Sequence, residues 1–218
     1  MDNFLQSSKF YRRRLPHWEV AYGQYFVTIR LKGAIPKAGL DYIHRLRREY
    51  DFAIANGQES LRQSRAIFAE MERWLDCAPN VNYLTRPDIA EMVVEAIEYR
   101  EQMGIWIVHS YVLMPNHIHL FFYLGSEIRT LTNDSSAMKQ VGEQRASLWK
   151  TLNNFKRWTG NQAIRLINEP HKNRFWQREW FDHWSRTPEE SDKIIRYIRN
   201  NPIKAKLIRE GETWPWLR

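Results

Sequence analysis

The chain holds a single cysteine, Cys77, among its 218 residues. A lone thiol excludes an intramolecular disulfide framework and any cysteine-based zinc site, and it suits a reducing compartment. Long hydrophobic runs are missing too. The longest apolar stretch, Ile105 to Met114, contains His109 and Ser110 and falls well short of the ~20 residues that cross a bilayer as a helix. Met1 to Tyr11 has no apolar core of the signal-peptide kind. There is no low-complexity tract and no internal repeat. These absences point away from secreted and membrane-spanning classes and towards a cytoplasmic protein with no membrane partner.

What is present is positive charge and aromatic surface. Lys and Arg number 33 against 25 Asp and Glu, a net charge of +8 with a pI near 9.6. Such a balance favours a polyanionic partner, nucleic acid before anionic membrane. Ten Trp, ten Tyr and ten Phe accompany the cations. Aromatics among Arg and Lys suit single-stranded nucleic acid, because every unpaired base has a face to stack on. The ordinary alternative is that most indoles are core and most charges are solvated. A hydrophobic fraction of 43% supplies a core, and the length fits one domain over residues 1–218 with an insertion.

The pattern predicts an order of elements. Tyr25 to Leu31 is rich in β-branched and aromatic residues and predicts a strand. Asp41 to Ala55 and Ser60 to Leu75 predict helices separated by Asn56-Gly57; in the second, Leu61, Phe68 and Leu75 recur at a spacing of seven. Ala78-Pro79-Asn80 stops it. Pro87-Asp88 opens a further helix whose Ile89, Met92, Val93, Ala96 and Ile97 make one apolar face, with Gly104 after its end. Strands over Ile105 to Met114 and His117 to Leu124 follow, joined at Pro115-Asn116. Gly125 to Gly142 is polar and predicts a loop. Leu148 to Arg157 and Glu189 to Asn200 predict helices. Trp176, Trp180 and Trp184 fit a helix face by their spacing of four and a strand face by their even numbering; a strand completes the sheet. The result is an α+β fold, a ferredoxin-like βαββαβα sandwich with an antiparallel sheet and an inserted helical segment at about 37–84 after the first strand.

Two clusters in this frame carry chemistry. In a strand, residues i and i+2 share a face, so His117 and His119 stand side by side with α-carbons roughly 7 Å apart. Two imidazoles so placed suit one metal ion. Two partly buried strand histidines bonded to water or backbone would give the same H-x-H. The second cluster is Ile194 to Pro202, where Tyr197 and Asn201 lie four apart and face the same way on a helix. Alone, Tyr197 is equally a packed amphipathic ring and Asn201 equally a helix cap.

Together the blocks say more. M-P-N-H-I-H-L, followed downstream by F-W-Q-R-E-W-F-D-H, R-Y-I-R-N-N-P and I-K-A-K-L-I, resembles the REP-associated tyrosine transposases, members of the single-tyrosine HUH transposases with an IS200-like domain. The resemblance runs from Tyr25 to Trp216. It implies that His117 and His119 bind a divalent metal, that Asn201 is a third ligand and that Tyr197 is the nucleophile. It further implies single-stranded DNA near a hairpin as substrate, and a prokaryotic protein associated with the nucleoid, either monomer or homodimer.

The chemistry stands on its own argument. A cation held by neutral imidazoles and an amide keeps its charge and offsets that of a phosphodiester. Mg²⁺ or Mn²⁺ suits phosphate, Mn²⁺ tolerating imidazole better. Attack by Tyr197 gives a 5′-phosphotyrosine and frees a 3′ hydroxyl, which makes the protein a DNA endonuclease and strand transferase. Arg196 and Arg199 lie beside the phenol in sequence. Lys156, Arg157, Arg174 and Arg178 are candidates for phosphate contacts, and Trp176 and Trp180 for base stacking. The alternatives are a hairpin-binding module without cleavage, or an unrelated H-x-H metal enzyme with an added Asp, Glu or His ligand and no need of Tyr197.

Overall fold

The computed structural model describes residues 7–12, 16–20, 23–57, 61–77, 81–125, 147–169 and 174–218. Its centre is a four-stranded antiparallel sheet. The strands are β3 (Gln24–Arg30), β4 (Trp106–Met114), β5 (His117–Leu124) and β6 (Phe181–Ser185), in the spatial order β4-β5-β3-β6. The connection from β3 to β4 skips the place taken by β5. That split crossover, through helix α3 (Pro87–Gln102), is what makes the arrangement ferredoxin-like. A separate two-stranded pair, β1 (Ser7–Arg12) and β2 (Pro16–Val20), precedes it.

Alternation along β3 divides the molecule into two faces. Tyr25, Val27, Ile29 and Leu31 join Ile118, Leu120 and Phe122 in the larger core, against α3 and α4 (Leu148–Ile167). Trp106 is fully buried there and donates its indole N–H to Thr151 Oγ1 at 2.9 Å, which fixes α4 to the start of β4. Phe26 faces the other way, with Val112, Met114, Phe121 and Ile198. Helix α5 (Pro188–Lys204) covers this second face. The C-terminal tail closes the free edge of β4: Leu113 N–H bonds Trp216 O at 2.9 Å, and Tyr111 and Arg218 exchange bonds of 3.1 and 3.0 Å. A covered edge cannot pair with another chain.

The insertion is a pair of helices, α1 (Lys37–Ala55) and α2 (Leu61–Asp76), followed by a single 3₁₀ turn at Tyr83–Thr85. α2 crosses to the second face, where Phe68 packs edge-on against Phe26 and Tyr197, at centroid distances of 5.6 and 5.7 Å.

Several boundaries differ from expectation. α4 runs ten residues beyond Arg157, to Ile167. At Gly160 the helix passes close to Trp176, where a Cβ would sit only 3.3 Å from the ring. α5 continues through Pro202 to Lys204 instead of ending at Asn200; Ala205 N–H still reaches Asn201 O at 2.9 Å. The expected Trp-rich strand is short. β6 holds only Trp184, and Trp176 makes an isolated bridge with Leu31 in the irregular segment before it. Arg13 and Arg14, the Ala78-Pro79-Asn80 stop and the polar loop beyond Gly125 lie outside the described residues. Gly104 does follow α3, at φ +65°, and the chain returns so close that a Cβ on Gly125 would overlap Gly104 O at 1.7 Å.

Candidate metal centre and nucleophile

The antiparallel pairing of β3 with β5 sets the site. Thr28 lies opposite His119, and Arg30 opposite His117. Directly paired residues share a face, so the side chains of Phe26, Thr28 and Arg30 run alongside the two imidazoles. Both histidines are buried, at 1% and 0% exposure. Asn116, in the tight turn before β5, has one amide end defined: Nδ2 donates to Leu75 O at 2.9 Å. Its Oδ1 then faces His117 Nδ1 at 2.6 Å and accepts the ring proton. Thr28 Oγ1 meets His119 Nδ1 at 2.9 Å. These two partners occupy the δ nitrogens and leave both ε nitrogens turned inwards, 3.0 Å apart. Outer partners of this kind orient imidazoles that ligate metals.

A residue absent from the sequence-based set completes the group. Glu72 of α2 places Oε2 3.3 Å from His119 Nε2, and its side chain is 4% exposed. Glu72, His117 and His119 offer three ligand atoms all within 4.8 Å of one another. Glu72 Oε1 is buried without a hydrogen-bond partner. Two imidazole lone pairs and a carboxylate converging in a dry setting fit a divalent cation, and such a group without one carries uncompensated lone pairs. The sequence held a signal for Glu72. In α2 the stripe Phe68, Met71, Leu75 turns inwards, and Glu72 falls at i+4 from Phe68, inside the stripe where a solvated carboxylate has no place.

Tyr197 reaches the same group from the far end of the chain. Its hydroxyl donates to Glu72 Oε2, and its ring stands edge-on to His119 with centroids 5.4 Å apart. The α5 geometry that brings it there is well specified. Thr187 caps the helix by accepting from Glu190 N–H at 3.2 Å, Pro188 opens the first turn, and Ile198 is buried against Phe121 and Met114. Asn201, one turn on, is 1% exposed, and neither amide atom makes a hydrogen bond of good geometry.

Electrostatics couple these groups. Burial raises the Glu72 carboxyl, but His119, His117 and the Tyr197 hydroxyl outweigh it and bring it down to about 2. Burial, then the neighbouring His119, pushes His117 down to about 3, so it is neutral and able to ligate. The Tyr197 phenol is driven far up, first by burial and then by the Glu72 charge, with the Asn201 amide acting weakly the other way.

The residues expected to hold substrate separate into groups. Arg196 and Arg199 are exposed on α5. Arg174 and Arg178 are exposed in the segment before β6. Arg157 is exposed on α4, where it lines a groove with Tyr99 and Trp158 in the helical layer opposite the histidines. Three expectations need correction. Trp176 is 3% exposed and donates its N–H to Thr159 Oγ1 at 2.8 Å, so it is a core indole. Trp180 is equally buried, with Lys156 Nζ 4.8 Å from its ring centroid. Neither offers a face to a base. Lys156 is itself buried and donates to Arg178 O at 2.6 Å, which removes it from the surface cations.

Fold and site thus define an α+β sandwich with an H-x-H pair on one strand, a carboxylate from an inserted helix and a facing tyrosine. Among solved structures, the chain is similar to a REP-associated tyrosine transposase bound to a REP hairpin. The TM-score is 0.50 and the identity 14%, over 95% of this chain and 80% of that one. The likeness establishes a shared fold. No family model matches the chain, and no curated protein matches it. Among the described residues, no helix is long and apolar enough to cross a membrane.

Proposed function

We propose that the protein is a metal-dependent single-stranded DNA endonuclease and strand transferase acting at hairpin or palindromic DNA. The observation that carries this reading is the hydrogen bond from Tyr197 to Glu72, which brings a phenol from residue 197 onto the pair at 117 and 119. The shared fold with a hairpin-bound transposase supports it. His117, His119 and Glu72 would hold the ion, with Asn201 as a further donor. A bound Mg²⁺ or Mn²⁺ supplies positive charge that offsets both the phosphate oxygens and Glu72.

The chain's own residues do the rest. Tyr197 Oη attacks phosphorus and gives up its proton to solvent as the new P–O bond forms. The P–O3′ bond breaks, O3′ takes up a proton from solvent and leaves as a 3′ hydroxyl, and the DNA 5′ end remains on the tyrosine as a phosphodiester. One phosphoester replaces another, so a 3′ hydroxyl can reverse the step without nucleotide hydrolysis. Arg196 and Arg199 on the exposed side of α5 are placed to contact flanking phosphates.

A second reading has one observation in its favour. An unrelated H-x-H enzyme, such as a hydrolase, would carry an added acidic ligand, and Glu72 is one. It would leave the Tyr197 contact unexplained. Incubation with labelled single-stranded hairpin oligonucleotides and Mn²⁺, followed by a denaturing gel, tests both. A covalent adduct that Tyr197→Phe abolishes while DNA binding persists is the expected outcome. Cleavage surviving in that variant would reject the tyrosine as nucleophile.

A further inference from the structure

Tyr197, Asn201 and Lys204 recur at i, i+4 and i+7 along α5, so they share the face that Tyr197 turns towards His119. Around the helix axis Lys204 lies about 20° from Tyr197, whereas Arg196 and Arg199 lie about 100° and about 160° away. The stripe passes from the buried Asn201 to an exposed Lys204, 52% of whose side chain meets solvent. The lysine therefore marks where this face opens. Helical side chains lean towards the N-terminus, and Lys204 folds back in that direction: its Nζ is 5.9 Å from the centroid of the Tyr197 ring. Its charge also acts on His117, against protonation of that ring. The partner of the ammonium is Asp76 on α2, at 3.3 Å. That carboxylate is itself close enough to Tyr197 to oppose its ionisation. An exposed pair of this kind is weak in water and exchanges readily for another anion. An attacked phosphorus comes within about 3.5 Å of the attacking oxygen. A phosphate so placed at Tyr197 lies within reach of Lys204 Nζ, and Asp76 competes with it for the same charge.

We propose that Lys204 binds the DNA phosphate attacked by Tyr197, exchanging Asp76 for a non-bridging phosphate oxygen. A lysine suits this exchange. Its ammonium is a compact charge with three donors on a flexible stem, so it can swing from carboxylate to phosphate while α5 stays in place. The inference rests on the proposed function and names a substrate-contacting residue for it.

The test uses a hairpin oligonucleotide in two readouts, so that failure of the reaction and failure of the Lys204 contact are told apart. Lys204→Met should slow covalent adduct formation about 100-fold, the usual scale for losing one donor aimed at transition-state charge. Lys204→Arg keeps a cation there and should restore most of the rate. Asp76→Asn frees the ammonium, so it should form adduct at least as fast as wild type. It should also bind the hairpin up to about fivefold more tightly, the scale of an exposed ion pair. A merely structural bridge predicts the opposite: Lys204→Met and Asp76→Asn would slow the reaction alike, and that outcome would overturn the proposal. So would an unchanged rate in Lys204→Met. Binding is read separately in a Tyr197→Phe background, with oligonucleotides carrying a neutral methylphosphonate at one position at a time. The affinity lost in Lys204→Met should vanish only when the substituted position is the one that wild type cleaves. A loss that persists through every substitution, or vanishes at a different position, would reject the contact. Absence of any adduct in wild type would reject the reaction, while the scan still decides whether Lys204 meets a single phosphate.

Discussion

At the residue scale, the site depends on which nitrogen of each imidazole carries the proton. Asn116 Oδ1 makes that choice for His117 at 2.6 Å, because it can only accept, and Thr28 Oγ1 holds the Nδ1 side of His119 at 2.9 Å. Thr28→Val keeps the shape and removes the oxygen, so His119 is free to rotate or change tautomer. Mn²⁺ affinity by titration calorimetry is expected to fall about 10- to 100-fold, the range for outer partners of ligating histidines. An unchanged affinity would show that the sheet alone orients the ring. Lys156 allows a second residue-level prediction, far from the metal group. Its ammonium is brought from 10.5 to about 7, mainly by burial. Between those values the unfolded chain binds a proton that the folded chain has released, so this group makes stability rise with pH, by at most about 1.4 kcal/mol per pH unit. Lys156→Met removes that slope. In urea unfolding, the variant should compare best with wild type near pH 6 and progressively worse towards pH 9.5. Parallel stability curves would contradict a neutralised Lys156.

At the scale of elements, α2 is the inserted piece that lies against the site. It supplies Glu72, packs Phe68 over Tyr197, and is tied to its surroundings by Asn116 to Leu75 O at 2.9 Å and by Lys204 to Asp76 at 3.3 Å. With Glu72, His117 and His119 all buried, the proposed reaction needs a covering element to move, and we take α2 as the one that does. Hydrogen exchange on the Tyr197→Phe protein should therefore show faster exchange of α2 amides when hairpin DNA is added, with β5 unchanged. Slower exchange in α2 would mean that DNA enters by another route. The elements also show what is legible in advance. The alternation of β5 and the i, i+3, i+4 pattern of α3 are strong periodic signals, and His117–Leu124 and the Pro87 start agree with them. The full length of α4 is not legible, because Thr159 and Gly160 interrupt the apolar pattern at the place where the helix presses closest to Trp176. Trp176 and Trp180 are ambiguous in sequence because an indole looks the same in a core and on a nucleic-acid platform. Only tertiary burial distinguishes them. Glu72 is hard to single out because nothing local says that an acidic residue in an amphipathic helix will meet strand histidines far along the chain.

For the whole molecule, the relevant quantity is where the surplus charge lies relative to the site. The net charge is +8, and among the described residues exposed arginines stand on both layers of the sandwich. Arg196 and Arg199 emerge from the helix that carries Tyr197, whereas Arg157 opens onto the groove between α3 and α4 behind the sheet. A single DNA strand lying across the histidine face meets the first two and not the third. Each phosphate that a cation neutralises adds about 0.7 to the slope of log affinity against log salt for single-stranded DNA. Arg196→Ala and Arg199→Ala should each flatten that slope by about this amount, and Arg157→Ala should leave it as it is. Fluorescence anisotropy across roughly 50 to 300 mM salt, a span over which screening changes strongly, measures all three. If Arg157→Ala flattens the slope and the α5 variants do not, the nucleic acid runs over the opposite layer, and the chemistry assigned to Tyr197 loses its substrate path.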